Sequence, residues 1–395
     1  MKILFLSRWF PYPSDNGSKL RIHNLLHGLS QHHEVTLLSF ADQAEVELEA
    51  ADVRSVYSDA HFVPWKEFNP HSWRARLGFI SFKPRSVVDT FSPEMAQKIN
   101  WILKSQDYNL VIASQLPMAA YYPYFKGVPA LFEELEIGLS YQHFHHSLDW
   151  KNRLRHAFTW FKLHIYLSQL LKFFRAVTVV SEQEEKLVAR SFPNVKNIQV
   201  IPNCMNMDDY QEVHAEPKPN TLIFTGSFRY HANYEAMLWF TREVFPLILE
   251  QVPDAQLIIT GDHTDLLLPS SKGVFLTGYV RDIKSLIASS TVSVAPLLSG
   301  GGTRLKILEA MALGTPVVAT SKGVEGLDAR NDEHLLVSDM PVEFARHVIK
   351  LLHEKDFRHR LAMNASRFVR ENYDWRKIMP KYLKVVEQVT GSRLN

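Results

Sequence analysis

Two patterns of apolar residues alternate along the chain. Short, continuous apolar runs indicate buried strands, and apolar positions spaced three and four residues apart indicate helices with one buried face. Strands that alternate with helices are typical of a parallel sheet covered by helices. In the first half, the predicted strands are residues 2–7, 34–39, 110–113, 130–132, 176–180 and 199–201. The predicted helices between them are residues 19–30, 93–105, 149–174 and 182–191.

The same alternation starts again after residues 214–220, a polar segment with two prolines that is typical of a linker. Beyond it, the predicted strands are residues 222–225, 256–260, 274–276, 292–295, 317–320 and 335–337. The predicted helices are residues 234–251, 283–288, 304–313, 341–353, 357–372 and 375–388. The pattern therefore predicts two Rossmann-like halves whose ligands bind at the carboxyl ends of the strands. One large continuous sheet is the alternative.

A glycine-rich turn precedes the helix predicted at residues 304–313. Residues 300–302 are glycines that lead through Thr303 into this helix, and the helix carries one acidic residue, Glu309. Glycine lets the backbone approach a ligand closely, and the first N–H groups of a helix bind anionic phosphates. A carboxylate further along the helix suits hydrogen bonds from a ribose diol. The turn and helix predict a nucleotide site, and a capped helix that merely packs on a sheet is the alternative.

The segment Gly-Gly-Gly-Thr-Arg-Leu-Lys-Ile-Leu-Glu-Ala-Met-Ala-Leu-Gly-Thr-Pro-Val-Val-Ala-Thr, which ends at Thr320, resembles the donor-site motif of the retaining GT-B glycosyltransferases of family 4, also called group 1. The resemblance spans most of residues 170–390. It implies an α/β protein of two Rossmann-like domains that face a central cleft. Residues 1–202 would bind the acceptor and residues 203–374 the nucleotide-sugar donor. The C-terminal helix, residues 375–390, would cross back to the first domain.

The resemblance assigns donor-binding residues within this motif. The last Glu of the family's Glu-x7-Glu pattern binds the nucleotide ribose and corresponds to Glu309, whereas Gly301 replaces the first Glu. The backbone N–H groups expected at the donor sugar are those of Gly301, Gly302 and Thr303. Lys306 and Arg304 are candidates for a cation beside the diphosphate. A surface ion pair between Lys306 and Glu309, three residues apart on one helix face, is the competing interpretation.

Three more loops resemble loops of the family. Gly226 begins a Gly-Ser segment after a strand, and Arg229 in this loop is expected to bind the diphosphate through forked hydrogen bonds and to stabilise the leaving group. Gly17 lies in a turn that resembles the family's N-terminal glycine loop. Glu325 lies in a Gly-Val-Glu-Gly-Leu loop and is expected near the donor. For Arg229 and Glu325, an exposed loop residue without a ligand is the alternative.

Polar residues near the strand ends of the first half are expected on the acceptor side. They are Lys19, Arg21, Gln115, Glu134 and Glu136. Gln115 follows the strand after which many relatives place a His, and the two glutamates are alternatively part of a solvated acidic run. No side chain is identified as a general base. The resemblance implies a same-face displacement in which the leaving phosphate oxygen takes the acceptor proton.

The overall composition argues against several classes of function. The formal net charge of +2 gives no support for a nucleic-acid partner. The single cysteine, Cys204, excludes an internal disulfide and suits a reducing compartment. The histidine clusters at residues 32–33 and 143–146 lack a carboxylate or cysteine at ligand spacing, so neither a metal nor a cofactor is expected. No Gly-x-Gly-x-x-Gly follows a strand, which argues against an NAD-dependent dehydrogenase.

The chain has no apolar run long enough to span a membrane and no signal peptide, so a cytoplasmic location is expected. Residues 150–175 nevertheless contain six Lys or Arg, seven aromatic and no acidic residues. A second basic and aromatic patch comprises Arg74, Arg76, Phe79, Phe82, Lys83 and Arg85. Such segments are typical of contact with an anionic membrane, here at its inner face. A core-facing helix with a basic outer face is the alternative.

These observations imply a retaining, metal-independent glycosyltransferase. It would move a sugar from a nucleotide-sugar donor to a glycan or lipid-linked acceptor, in the synthesis of cell-envelope or surface polysaccharide. Two other functions stay open at this point. One is a non-catalytic partner subunit that binds nucleotide sugars, and the other is a nucleotide-sugar epimerase or phosphorylase on the same fold.

Overall fold

The computed structural model describes residues 1–12, 16–41, 59–138, 140–141, 144, 150–263, 266–269, 271–301 and 304–391. The chain divides into two compact units. The first comprises Met1–Pro202 together with Ile378–Asn395, and the second comprises Asn203–Lys377.

The described part of the first unit contains one parallel sheet in the strand order β3-β2-β1-β4-β5-β6-β7. Its strands are β1 (Lys2–Ser7), β2 (Glu34–Ala41), β3 (Ala60–Pro64), β4 (Leu110–Ser114), β5 (Ala130–Glu133), β6 (Ala176–Val179) and β7 (Ile198–Val200). The central strands β1, β4 and β5 are mainly apolar and almost wholly buried, as expected for a parallel sheet with helices on both faces.

In the part of the first unit that the structure describes, the helices before Pro202 are α1 (Gly17–Ser30), α2 (Trp73–Leu77), α3 (Arg85–Thr90), α4 (Pro93–Ser105), α5 (Gln115–Ala119), α6 (Trp150–Leu170) and α7 (Glu182–Ser191). Short 3₁₀ turns lie at Tyr122–Tyr124 and Leu171–Phe173. Side chains cap several helix starts: Asn16 accepts a hydrogen bond from the backbone N–H of Lys19, and Ser92 accepts one from that of Met95.

The second unit contains a separate parallel sheet in the order β10-β9-β8-β11-β12-β13 within its described residues. Its strands are β8 (Lys218–Thr225), β9 (Gln256–Thr260), β10 (Val274–Gly278), β11 (Ser290–Ala295), β12 (Val317–Ala319) and β13 (Leu336–Val337). Its helices are α8 (Asp208–Gln211), α9 (His231–Trp239), α10 (Phe245–Gln251), α11 (Ile283–Ala288), α12 (Leu305–Ala312), α13 (Pro341–His353) and α14 (Lys355–Asn372).

The last helix, α15 (Trp375–Thr390), belongs to both units. Its first backbone N–H, that of Trp375, donates to the carbonyl of Met205 in the second unit. From Ile378 onward the helix belongs to the first unit, where Met379 packs so tightly against α1 that a Cβ at Gly28 would lie 2.5 Å from it. The expected return of the closing helix to the first unit is confirmed.

The two predicted α/β series are confirmed, and the alternative of one continuous sheet is wrong. Strand β3 was not predicted, because its half-buried sequence Ala-His-Phe-Val-Pro has no continuous apolar run. The short helices α2, α3, α5 and α8 were not predicted either, since they span too few turns to show a period. The helix predicted at residues 234–251 is interrupted by a π turn, Phe240–Val244. The next helix has Pro246, which lacks a backbone N–H, in its first turn.

Candidate functional site

The buried side chain of Arg304 holds the glycine turn before α12 in place. Arg304 is 6% exposed, and its guanidinium donates to the carbonyls of Gly301 at 2.6 Å and Gly300 at 2.9 Å. Gly300 has φ +96°, and a Cβ there would overlap the hydroxyl of Tyr230. That hydroxyl accepts a hydrogen bond from the N–H of Gly301 at 3.3 Å. Arg304, predicted at the donor, therefore orders the turn itself. Gly302 and Thr303 lie outside the described residues.

Lys306, on the first turn of α12, reaches the loop that follows β8. Its ammonium donates to Oδ1 of Asn233 at 2.9 Å and lies 4.1 Å from the ring centroid of Phe224. Gly226 has φ +149°, which favours glycine, and a Cβ there would lie 2.8 Å from the same nitrogen. The amide of Asn233 donates in turn to the carbonyl of Ser227 at 2.7 Å. These contacts place Lys306, Asn233 and the Gly226 loop together at the carboxyl edge of the sheet.

The environment of Lys306 is unusual for a cation. Burial, together with the neighbouring charge of Arg304, lowers the pKa of Lys306 to about 7. The side-chain amine of Lys306 is therefore only partly protonated near neutral pH. An anionic ligand beside it would favour the charged form, which makes Lys306 a suitable partner for a phosphate.

Glu309 lies one turn further along α12 and faces a different partner. Its Oε1 accepts a hydrogen bond from the hydroxyl of Tyr210 at 3.2 Å. Burial raises the pKa of Glu309 above its ordinary value. Lys306 and Glu309 thus each bond to another element, and no ion pair joins them within the described residues. No sequence pattern pointed to Tyr210, because it lies in the single short turn of α8.

Arg229 and Glu325 are both found in ion pairs. Arg229 has 72% of its side chain exposed, and its Nε lies 2.5 Å from Oδ2 of Asp262. Exposed pairs of this kind contribute little free energy, so a phosphate can displace the carboxylate. Glu325 pairs with Lys322, three residues earlier in the same loop. A Cβ at Gly323 would overlap the carbonyl of Ala295, which places this loop at the end of β11.

In the first unit, two non-glycine residues adopt left-handed backbone conformations directly after adjacent strands. Gln115 follows β4 with φ +66°, and Glu134 follows β5 with φ +59°. The Gln115 amide donates to Oε2 of Glu134 at 2.9 Å and to the hydroxyl of Ser18 at 3.4 Å. Such strain costs about 1–3 kcal/mol per residue and concentrates at functional sites. Burial, with the nearby charges of Glu133 and Glu136, raises the pKa of Glu134 to about 7.

Arg21 is not part of this strand edge. Its guanidinium is completely buried, 2.7 Å from Oε1 of Glu133, and it donates to the carbonyl of Ile201 at 3.0 Å. Glu133 also accepts a hydrogen bond from Ser114. The expectation that Arg21 faces an acceptor is corrected, because its charge is neutralised inside the unit. Lys19 is also buried, whereas Gly17 and Glu136 are exposed.

Two further sequence expectations concern metals and membranes. Within the described residues, no group of histidine, cysteine and acidic side chains is arranged to hold a metal ion. His143, His145 and His146 lie outside those residues. None of the described helices combines the length and the apolar character that a membrane span requires.

The chain is similar to known families of sugar-transferring proteins. The family model for Glycosyl transferases group 1 matches residues 219–354, and the model for Glycosyltransferase Family 4 matches residues 16–209. A phosphatidyl-myo-inositol mannosyltransferase of Mycobacterium leprae is 29% identical over 205 residues, which cover 49% of this chain and 54% of that protein. An uncharacterized 44.6 kDa protein from the cps region of Klebsiella pneumoniae is 26% identical over 174 residues, 41% of this chain and 45% of that protein. The chain thus spans about half the length of the curated relatives that it matches.

Solved structures show the same fold at low sequence identity. Anabaena Alr3699/HepE in complex with UDP-glucose has a TM-score of 0.69 at 14% identity, covering 98% of this chain and 99% of that chain. TarM has a TM-score of 0.66 at 12% identity, covering 99% of both chains.

Proposed function

Because the chain belongs to the glycosyltransferases of family 4, also described as group 1, we propose that it transfers a sugar from a nucleotide-sugar donor to an acceptor hydroxyl. One observation carries the donor assignment. The glycine turn, Lys306 and the Gly226 loop converge at the carboxyl edge of the second sheet, where such sheets bind their ligands.

The donor diphosphate is proposed to lie against this convergence. Lys306 becomes fully charged beside it, and the exposed guanidinium of Arg229 exchanges Asp262 for a phosphate oxygen. The resemblance implies that backbone N–H groups of the glycine turn also bind the diphosphate, and the N–H of Gly301 would exchange the hydroxyl of Tyr230 for it. Glu309, further along α12, accepts hydrogen bonds from the ribose diol, with Glu325 in the adjoining loop.

The transfer is proposed to retain the configuration of the sugar and to need no metal. Two cations and the turn N–H groups neutralise the departing diphosphate, which is the main electrostatic requirement of the step. The bond from the anomeric carbon to the phosphate oxygen breaks as the bond to the acceptor oxygen forms on the same face. The leaving phosphate oxygen takes the acceptor proton. The family resemblance supports this scheme.

The acceptor is proposed to bind at the carboxyl edge of the first sheet. Gln115 and Glu134 present hydrogen-bonding groups there on a strained and therefore well-defined backbone, with Gly17 and Glu136 at the margin. The side chain of Glu134 changes charge near neutral pH, which suits recognition of a glycan hydroxyl.

An exposed surface of the first unit supports a lipid-linked acceptor and a location at the inner face of the membrane. Along the first half of α6, Trp150, Leu154, Phe158 and Phe161 recur every three or four residues, and each is more than half exposed. The second half of α6 is core-facing, so the two sequence interpretations apply to different halves of the helix.

A second segment extends this surface. Lys162 of α6 donates to the carbonyl of Gly78, after α2. The side chains near it that are more than half exposed are Trp73, Phe79, Ile80 and Phe82. We name the exposed apolar residues of α6 and of residues 73–82 the aromatic surface. With the lysines and arginines between them, they match the requirements of an anionic membrane.

The proposal is tested by separating binding from transfer. UDP-glucose, GDP-mannose and ADP-glucose are screened for thermal stabilisation of the chain, and the stabilising donor is then incubated with and without a panel of glycan and lipid-linked acceptors. Acceptor-dependent release of nucleotide is expected. Conversion of donor without acceptor indicates an epimerase, and binding without release indicates a non-catalytic subunit.

A matched pair of variants tests the site itself. Glu309→Ala is expected to abolish transfer and leave the fold intact, whereas Glu371→Ala, at an exposed acidic residue of α14, is expected to change neither. Unchanged turnover and donor affinity in Glu309→Ala remove Glu309 from the site.

A further inference from the structure

The contact between Tyr210 and Glu309 joins the proposed donor site to a part of the chain that no sequence motif connects with it. Tyr210 lies 99 positions before Glu309 and is 4% exposed. Its hydroxyl donates to Oε1 of the carboxylate at 3.2 Å. No second hydrogen bond to this carboxylate occurs within the described residues, so the remaining oxygen is available to a ligand.

The short helix that carries Tyr210 is firmly anchored. Asn206 donates to Asp209 at 2.8 Å and accepts a hydrogen bond from the indole of Trp375 at 3.2 Å. Arg376 pairs with Asp208 at 3.0 Å. These contacts hold the four-residue turn at its margins, and the side chain of Tyr210 is buried.

Lys284 of α11 lies on the other side of Tyr210. Its ammonium is 4.4 Å from the centroid of the phenol ring and donates to the carbonyl of Asp209 at 3.2 Å. The charged and titratable groups that act on Glu309 are therefore Tyr210 from α8, Lys284 from α11 and Lys306 from α12.

We infer that Tyr210 is a positioning residue for the nucleotide ribose: its hydroxyl fixes one oxygen of Glu309 so that the other receives the ribose diol. This inference rests on the proposed function. A carboxylate on a long side chain has several rotamers, and holding one of them before the donor arrives removes part of the entropy cost of binding.

The same hydrogen bond affects the charge of Glu309. Burial raises the pKa of Glu309, and the bond from Tyr210 opposes that rise because it stabilises the ionised form. Without the hydroxyl, the pKa rises further. Donor binding requires the ionised carboxylate. When the pH is lowered, binding is therefore lost at a higher pH without the hydroxyl than in the wild type.

Tyr210→Phe removes only the hydroxyl and keeps the buried ring. We expect the dissociation constant of the stabilising nucleotide sugar to rise about tenfold, as for the loss of one hydrogen bond to a charged group. We also expect the loss of donor affinity on the acidic side of the pH profile to occur at a higher pH. In a Glu309→Gln background, which has no charge to stabilise, the same substitution is expected to cause no shift of the pH profile.

The matched control is Tyr373→Phe. Tyr373 is also 4% exposed, and its hydroxyl accepts a hydrogen bond from the N–H of Asp328 at 3.4 Å, whereas that of Tyr210 donates to Glu309. It is expected to leave donor affinity and the pH profile unchanged. Equal affinity and an unmoved profile in Tyr210→Phe overturn the inference while the proposed function stands. A wild-type chain that binds none of the three nucleotide sugars overturns both.

Discussion

The ammonium of Lys306 lies 2.9 Å from Oδ1 of Asn233, across 73 positions of sequence. The bond joins the helix after the glycine turn to the helix after the Gly226 loop. It also places a basic side chain beside residues 231–235 at the start of α9, whose sequence His-Ala-Asn-Tyr-Glu contains neither Lys nor Arg. We therefore propose that α12 supplies the positive charge that binds the diphosphate.

Lys306→Met is expected to reduce kcat/KM by about 100-fold or more, because the main cation at the leaving group is removed. Lys272→Met, at an exposed lysine of the same unit, serves as the control. The comparison is made by initial rates at saturating acceptor. A loss in the Lys306 variant no larger than in the control would show that another residue carries this charge.

Donor binding is expected to take up a proton above neutral pH. In the free protein Lys306 loses its charge as the pH rises through about 7, and a bound diphosphate restores it. Affinity therefore declines as the pH rises above 7, whereas it declines at low pH as Glu309 is protonated. Titration calorimetry at pH 8 in two buffers of different ionisation enthalpy measures the uptake. Lys306→Met should abolish it, and an uptake that persists in this variant contradicts the assignment.

The buried pair of Arg21 and Glu133 is expected to stabilise the first unit without taking part in transfer. Removing one partner leaves an uncompensated buried charge, so Arg21→Met should lower the free energy of unfolding by about 3–5 kcal/mol. Adding Glu133→Leu should recover part of that loss. Denaturant unfolding of the single and double variants makes the test. A stable Arg21→Met variant that has lost only acceptor affinity would return Arg21 to the acceptor site.

Gly300→Ala is expected to disturb the glycine turn more than Gly314→Ala disturbs the end of α12. Both glycines have positive φ, +96° and +74°, but only at Gly300 would a Cβ overlap another group, the hydroxyl of Tyr230. Donor affinity should therefore fall in Gly300→Ala and stay near wild type in Gly314→Ala. Tyr230→Phe added to Gly300→Ala should recover part of the affinity. Equal effects at the two glycines would exclude the overlap as the cause.

The aromatic surface is expected to bind anionic vesicles. Phe158→Ser combined with Phe161→Ser should reduce co-sedimentation with phosphatidylglycerol vesicles, and added salt should weaken binding of the wild type. Phe275→Ser, at a half-exposed phenylalanine of β10 in the second unit, is the control. Equal binding to phosphatidylcholine vesicles, or no binding at all, would argue against a membrane role for this surface.

Much of the fold was predictable because buried parallel strands and amphipathic helices leave a local signal. The strand Gln256–Thr260 and the helix Ile283–Ala288 have the bounds that their apolar patterns predict. Strand β3 and the four-residue α8 have no such local signal in the sequence. Their positions depend on neighbours, since β3 pairs with β2 and α8 is anchored by residues near α15.

The candidate site also has features that the sequence predicted and features that only the structure showed. The order of residues alone determined the two α/β series, the glycine turn and the presence of Glu309 on the following helix, because these depend on near neighbours and on backbone freedom. Only the tertiary structure decided which intramolecular partner each polar or charged side chain has. It buried Arg21 against Glu133, turned Arg304 onto the glycine turn, joined Lys306 to Asn233 and brought Tyr210 to Glu309. The partner of a long polar side chain depends on strands and helices that are distant in sequence and meet at a sheet edge. A local sequence pattern does not show which of these elements will meet.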